Sequence, residues 1–248
     1  MFLFYFNLII VSTSLLLKSQ IINNNINKKN IYISPGGYKG FYTLGVCDCI
    51  KKNFDISDYI YSGSSAGAWN ALFLSFNGNS KDFFDILFNI ELSKKNTIKN
   101  MQSDIKCSFL KNFKSDDFNL NKLYIKVTQF QKYKFNSIVY YDFQCLEDAI
   151  DCCIASSHIP FITGGLTFKY QNKFTFDGGF TDNSFFENEN TFFISPYIWN
   201  STIMTNTSEF RLYNNNNNEY PNIRKLYNLY EIGFEDTLSN INLINKSL

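Results

Sequence analysis

Residues 59–68 read "YIYSGSSAGA", a short β-prone run that stops at five small residues. Tyr59, Ile60 and Tyr61 favour an extended chain. The pentapeptide Gly63-Ser64-Ser65-Ala66-Gly67 has the form G-x-S-x-G. In that pattern a serine sits on a strained turn between a strand and a helix, and small neighbours give it room. Ser65 is then the candidate nucleophile, and the segment demands a strand before it and a helix after it. A plain small-residue loop competes with this reading, because such a pentapeptide arises by chance in roughly one chain of this length in ten.

Working outward, residues 31–34 predict a strand, a glycine turn follows, and 40–52 predict a helix. Strand 59–62, the serine turn and helix 66–76 repeat the pattern. Two strand-turn-helix units in succession point to a parallel sheet. A helix is expected at 81–94, while 99–120 is polar and poorly patterned and reads as an insertion or lid. Strands are expected at 123–129 and 137–143. Helix 145–155 places Leu146, Ala149, Ile150, Cys153 and Ile154 on one 3.6-period face. Strands at 173–176 and 191–195 and a helix at 222–232 complete the pass. The asparagine run at 214–218 marks a surface loop.

The 248 residues suffice for one sizeable α/β domain. Lys and Arg number 23 against 22 Asp and Glu, so the broad basic field that binds nucleic acid is missing. Aromatics reach 18%, with 27 Phe and 16 Tyr. A/T-rich codon usage accounts for most of that bias, and a lipid-facing surface is the minority reading. Cys47, Cys49, Cys107, Cys145, Cys152 and Cys153 lack the paired spacing of a metal or redox site, so no metal and no cofactor is expected. Cys49 and Cys153 fall on apolar helix positions and read as small buried hydrophobes.

Residues 1–20, "MFLFYFNLIIVSTSLLLKSQ", resemble the apolar part of a signal peptide or membrane anchor without its basic flank. A hydrophobic first element of the fold is the plainer alternative. Residues 21–30 are polar and repetitive and read as a linker, with the folded domain spanning 31–248. The sequons at Asn200, Asn206 and Asn245 matter only in the secretory pathway. In so asparagine-rich a chain coincidence explains them.

A serine nucleophile needs oxyanion donors and a base. Ser34-Pro35-Gly36-Gly37-Tyr38-Lys39-Gly40 follows the first strand and opens a helix, where glycine N–H groups and a helix N-terminus favour negative charge. A phosphate-binding or purely structural turn is the alternative, although the spacing does not match a dinucleotide fingerprint. The single histidine, His158, precedes Asp177, so the order Ser, acid, His is available only with an acid between 65 and 158. Asp148 and Asp151 lie on the same predicted helix as the approach to His158, an unconvincing triad. Asp177, in "FTFDGGFTDN", stands at the end of a β-prone run before Gly178-Gly179. From there a shielded carboxylate can serve a serine directly. On the Asp-Gly pair alone, a hairpin turn is the commoner reading.

With the glycine turn, G-x-S-x-G and Asp-Gly-Gly in that order, the sequence resembles the patatin-like phospholipases. Within them it is most similar to the animal adiponutrin and triglyceride-lipase branch and to protist and algal members. The likeness extends through "GFYTLGV", "CIASSHIPFITGG" at 153–165 and "FDGGFTDN" at 176–183, over about residues 31–195. It implies an α/β fold, a three-layer α/β/α sandwich with a mainly parallel central sheet. It also implies a Ser65–Asp177 dyad, with an oxyanion hole from Gly36, Gly37 and the Ala66 N–H. Gly40, Gly63, Gly67, Gly178 and Gly179 are the accompanying motif glycines. His158 then lies near the site without acting as base, and Asn183 is structural. Pro35 departs from the family glycine and carries no N–H, which weakens the expected oxyanion hole.

The resemblance implies a lipid acyl hydrolase that cleaves phospholipid or acylglycerol esters, works at a membrane or lipid-droplet surface and uses no metal. A catalytically weak or silent lipid-binding protein on the same fold is the alternative, favoured by Pro35. A Ser-His-Asp esterase using His158 is a third reading, which loses activity on His158→Ala where the dyad does not.

Overall fold

The computed structural model describes residues 28–90, 98–181, 189–199, 223–245 and 248. Residues 1–27, Asn183, the sequons at 200 and 206 and the asparagine run lie outside them. The alternation around Ile31 and Ile33 gives β1 (Asn30–Ile33), and the run quoted above gives β2 (Ile60–Ser64). Each feeds a helix, α1 (Gly40–Asn53) and α2 (Ala66–Ser75). These are the two expected strand-turn-helix units, and β1 pairs parallel to β2.

The remaining strands are β3 (Leu123–Gln131), β4 (Lys134–Tyr140), β5 (Phe168–Tyr170), β6 (Lys173–Phe176) and β7 (Thr191–Ile194). The sheet runs β5-β6-β3-β2-β1-β7, with β4 also on β3. β3, β2, β1 and β7 are parallel neighbours, whereas β4, β5 and β6 join antiparallel. The fold is thus α/β, a central and mostly parallel sheet flanked by helices. β4 begins three residues earlier than expected and ends at Tyr140. A two-residue turn with positive φ at Lys132 and Tyr133 matches the twist of a hairpin and fixes that register.

Helix α3 (Ser80–Phe88) starts where the Asn79 side chain accepts the Lys81 N–H at 2.9 Å. It stops well short of the expected residue 94. Residues 98–112, read in sequence as part of an insertion or lid, form helix α4 (Ile98–Asn112). Its Gln102, Ile105 and Phe109 are buried, the last two within the main core, and Lys106 bridges Glu147 at 2.9 Å and Asp151 at 2.7 Å. Those carboxylates belong to α5 (Leu146–Ser156), so α4 is tied to the body of the fold.

The main core joins β1, β2 and β3 to the helices, and part of the aromatic surplus is spent there. Phe73, Phe83 and Phe109 meet at ring-centre distances of 5.0 and 4.8 Å, and Phe76 meets Phe113 at 4.9 Å. Alternate strand residues Tyr32, Tyr124 and Val139 form a smaller cluster apart from it. Helix α6 (Ile223–Ser239), longer than the expected 222–232, lies along α1. There Tyr42 donates to Asp236 and Tyr230 to Asp48, each at 2.7 Å. A short helix, α7 (Ile241–Ile244), follows. Cys49 and Cys153 are fully buried, as their helix positions suggested.

Candidate active site

The strand register brings two chain ends together. β2 runs parallel to β3 and ends with Ser64 opposite Lys126. β6 runs antiparallel to β3 and ends with Phe176 opposite Thr128. β4 pairs with β3 from Ile125 to Gln131, so it occupies one edge of β3 at Ile125 and Lys126, where β2 ends, and all along the stretch paired with β6, and β2 and β6 must share the other edge. They meet head-on with only Val127 between their registers. The next residue after β2 is Ser65, and the next after β6 is Asp177.

At that junction the Ser65 hydroxyl donates to Asp177 Oδ2 at 2.6 Å. Both residues are buried. Ser65 has φ 55°, a left-handed conformation that costs a non-glycine residue on the order of 1–3 kcal/mol. The turn is held by packing on both sides. A Cβ on Gly63 would come within 2.1 Å of the Gly67 carbonyl oxygen, and one on Gly67 within 2.1 Å of the Ile33 carbonyl oxygen. This explains the spacing of G-x-S-x-G: the helix after the serine is pressed onto its own strand and onto β1. Helix α2 then points its N-terminus, with the Ala66 and Gly67 amides, at the serine.

Asp177 is fixed from three directions. Its Oδ1 accepts the Gly179 N–H at 2.7 Å, its own N–H donates to the His158 carbonyl at 2.7 Å, and Gly178 lies beneath it against Lys126 and Ser64. Burial, the largest influence, pushes the carboxyl pKa up; the Ser65 and Gly179 hydrogen bonds and the Lys126 charge oppose it. A carboxylate held in this way is a stronger proton acceptor than one in water.

The remaining sequence candidates fall around this pair. Gly37, Gly40 and Ala66 line a cavity with Ser65. Gly36 backs onto the Pro196 ring, and its carbonyl accepts the Lys39 N–H at 3.0 Å. Pro35 packs its ring against Gly179, so the departure from the family glycine touches the Asp-Gly-Gly turn. The His158 ring, its pKa lowered chiefly by burial, lies 3.2 Å from Thr163 through Nδ1. Its Nε2 has no partner among the described residues.

Two residues escaped the sequence reading. Ser156 Oγ accepts the Ser65 N–H at 2.8 Å and donates to the Lys126 carbonyl at 2.6 Å. Lys126, with no exposed surface, donates from Nζ to the Thr181 carbonyl at 2.7 Å and contributes positive charge near Asp177. A serine at a helix end and a lysine on a strand carry no sequence signal of their own. Only "ASSHIP", matched as a block, pointed at Ser156.

The cavity beside Ser65 has a volume of about 270 Å³, close to the lower end of the roughly 300–1,000 Å³ of small-molecule sites. Its walls are mainly apolar, with Phe41, Leu44, Trp69, Leu87 and Met101 among them. Asn70 ties α2 to the start of α1 through the Gly40 carbonyl at 2.9 Å and Thr43 at 2.7 Å. Trp69 donates to Ser157 at 3.1 Å. Among the described residues no group of His, Cys, Asp and Glu is arranged to hold a metal ion.

A family model for patatin-like phospholipases matches residues 32–188. Among solved structures, the chain is similar to the crystal structure of VipD from Legionella pneumophila, at 12% identity and a TM-score of 0.42. That likeness covers 68% of this chain and 49% of the VipD chain, so the chain spans about half of VipD. None of the curated proteins matches.

Proposed function

Since the chain belongs to the patatin-like phospholipase family, we propose that it is a lipid acyl hydrolase working through Ser65 and Asp177. The observation that carries this reading is the 2.6 Å hydrogen bond from Ser65 to Asp177 at the wall of an apolar cavity. Ser65 Oγ attacks the ester carbonyl carbon while its proton passes to the Asp177 carboxylate. The oxyanion is received by the N–H groups of Gly36 and Gly37 on the glycine turn and of Ala66 at the α2 N-terminus. Collapse expels the alcohol, which takes the proton from Asp177 and leaves an acyl-Ser65 ester. A water, deprotonated by Asp177, then releases the fatty acid and restores the serine.

The substrate on this reading is an ester of a phospholipid or acylglycerol, with its acyl chain along the apolar walls. A lipid surface is its source. Phe161, Ile162 and Leu166 are exposed on the loop whose Ile159, Ile162 and Thr163 line the cavity, and such a loop can enter a bilayer boundary. Among the described residues no helix is long and apolar enough to cross a membrane.

The test is labelling of the full chain by a fluorophosphonate, with turnover of phospholipid and glyceride esters. Labelling lost in Ser65→Ala, and hydrolysis lost in both Ser65→Ala and Asp177→Asn, is the expected result. Pro35 supports a second reading, a silent lipid binder: a folded wild-type chain that neither labels nor turns over any ester, yet binds vesicles, would establish that reading in place of the first.

A further inference from the structure

Gln102 stands out on the cavity wall. It lies on α4, is 6% exposed, and lines the cavity beside Met101, Ile105 and Phe109. Its amide carries two donor hydrogens and an acceptor oxygen; among the described residues no hydrogen bond within the protein engages it, and its atoms are not among those fully enclosed without a partner, so it opens on the cavity. The other polar lining groups are engaged within the protein. Ser65 bonds Asp177, Asn70 bonds Gly40 and Thr43, Ser157 bonds Trp69 and the Cys153 carbonyl, and Thr163 bonds the Ile159 backbone. An amide left open on an apolar wall is costly unless something in the cavity meets it.

The position of α4 says which part of a substrate that would be. The reacting ester must sit at Ser65, between the glycine turn and the α2 N-terminus. Helix α4 supplies neither Ser65, Asp177 nor the glycine turn, and its other lining side chains, Ile98 included, are apolar. It therefore faces the body of the acyl chain rather than the ester. The volume of about 270 Å³ suits one chain of moderate length, not a whole diacyl lipid.

We propose that Gln102 is a specificity residue that hydrogen-bonds a hydroxyl carried along the acyl chain, so that the site prefers hydroxylated acyl groups to plain ones of equal length. This rests on the acyl-hydrolase reading above. The hydroxyl meets the open amide and loses little on leaving water, whereas a plain methylene chain strips the amide of water and returns nothing.

The experiment separates this idea from the dyad by measuring binding rather than turnover. Decanoic acid and its mid-chain hydroxydecanoic isomers are titrated calorimetrically into full-length Ser65→Ala, and into the same chain carrying Gln102→Leu or the near-isosteric Gln102→Met. One hydroxylated isomer should bind about tenfold more tightly than decanoic acid, with the preference gone in both Gln102 variants. An unchanged preference in the variants overturns the proposal. So does tighter binding of the plain acid, which would mean that water alone satisfies the amide, and so does a lack of saturable binding by either acid. Should either variant fail to fold, the other and the isomer comparison in the parent still decide it. Absent hydrolysis of p-nitrophenyl decanoate by the wild type, with the binding preference intact, would sink the dyad alone.

Discussion

Ser156 Oγ accepts a hydrogen bond from the backbone N–H of Ser65 at 2.8 Å and donates one to the Lys126 carbonyl at 2.6 Å. One hydroxyl therefore fastens the strained serine turn to β3, and it satisfies two buried backbone groups at once. It also engages the Ser65 N–H, which on the proposed mechanism is therefore not an oxyanion donor. Replacing Ser156 by alanine leaves a donor and an acceptor unmet, at about 1–3 kcal/mol. Ser156→Ala should lower the melting temperature by several degrees and slow fluorophosphonate labelling, with cysteine restoring less than threonine if hydrogen bonding rather than volume matters. Labelling at the wild-type rate would mean that the turn holds its shape without this tie.

Asp177 gives the chain a pH dependence whose sign can be worked out. Burial raises its pKa above the ordinary 3.8, so the folded protein holds that proton more tightly than the unfolded chain. The stabilisation this confers is complete below 3.8 and is lost as pH rises through the raised value. On the proposed mechanism activity needs the carboxylate and moves the other way, rising through the same window. The acid limb of kcat/KM should therefore lie above 3.8, with stability falling over that range in the wild type and less so in Asp177→Asn. An acid limb at or below 3.8 would remove Asp177 from the role of base. At neutral pH, Asp177→Asn should cost about 10²–10⁴ in kcat/KM.

The close packing around the serine predicts which small change the fold cannot absorb. A Cβ on Gly67 would lie 2.1 Å from the Ile33 carbonyl oxygen, against backbone that cannot swing aside. Gly67→Ala must therefore push α2 off β1. The expected loss exceeds the roughly 1–3 kcal/mol of ordinary overpacking, and fluorophosphonate labelling should disappear with it. A Gly67→Ala chain that melts within a few degrees of the wild type and still labels would contradict the packing described here.

Those contacts also show what the sequence made legible. β1, β2, α1 and α2 could be read because each is an apolar run closed by glycine punctuation, and the punctuation falls at the site. The pairing of Ser65 with Asp177 needed more, since nothing local to residue 177 says which strand it will face. Only the ordered motifs suggested the pair, and the shared edge of β3 supplies the geometry. Helix α4 was obscured by its lysines and asparagines, although Met101, Ile105 and Phe109 are spaced by four residues. β5 has three residues, too few for alternation to register. Lys126 reads as a solvent-facing strand residue until tertiary packing buries it.

Phe161 offers a prediction in which stability and surface binding part company. It has φ 63° and is 79% exposed, so the chain bears the strain of a left-handed aromatic residue and buries nothing in return. A lipid boundary would supply the missing burial, on the order of 1.5–3 kcal/mol for a phenyl ring. Asparagine tolerates this backbone and has no apolar surface. Phe161→Asn should keep or raise the melting temperature and leave hydrolysis of a soluble short-chain ester unchanged, because residue 161 does not line the cavity. Its binding to phosphatidylcholine vesicles, followed by flotation, should fall about tenfold. Unaltered flotation would show that this loop is not the contact with lipid, and the strain at Phe161 would then need another cause.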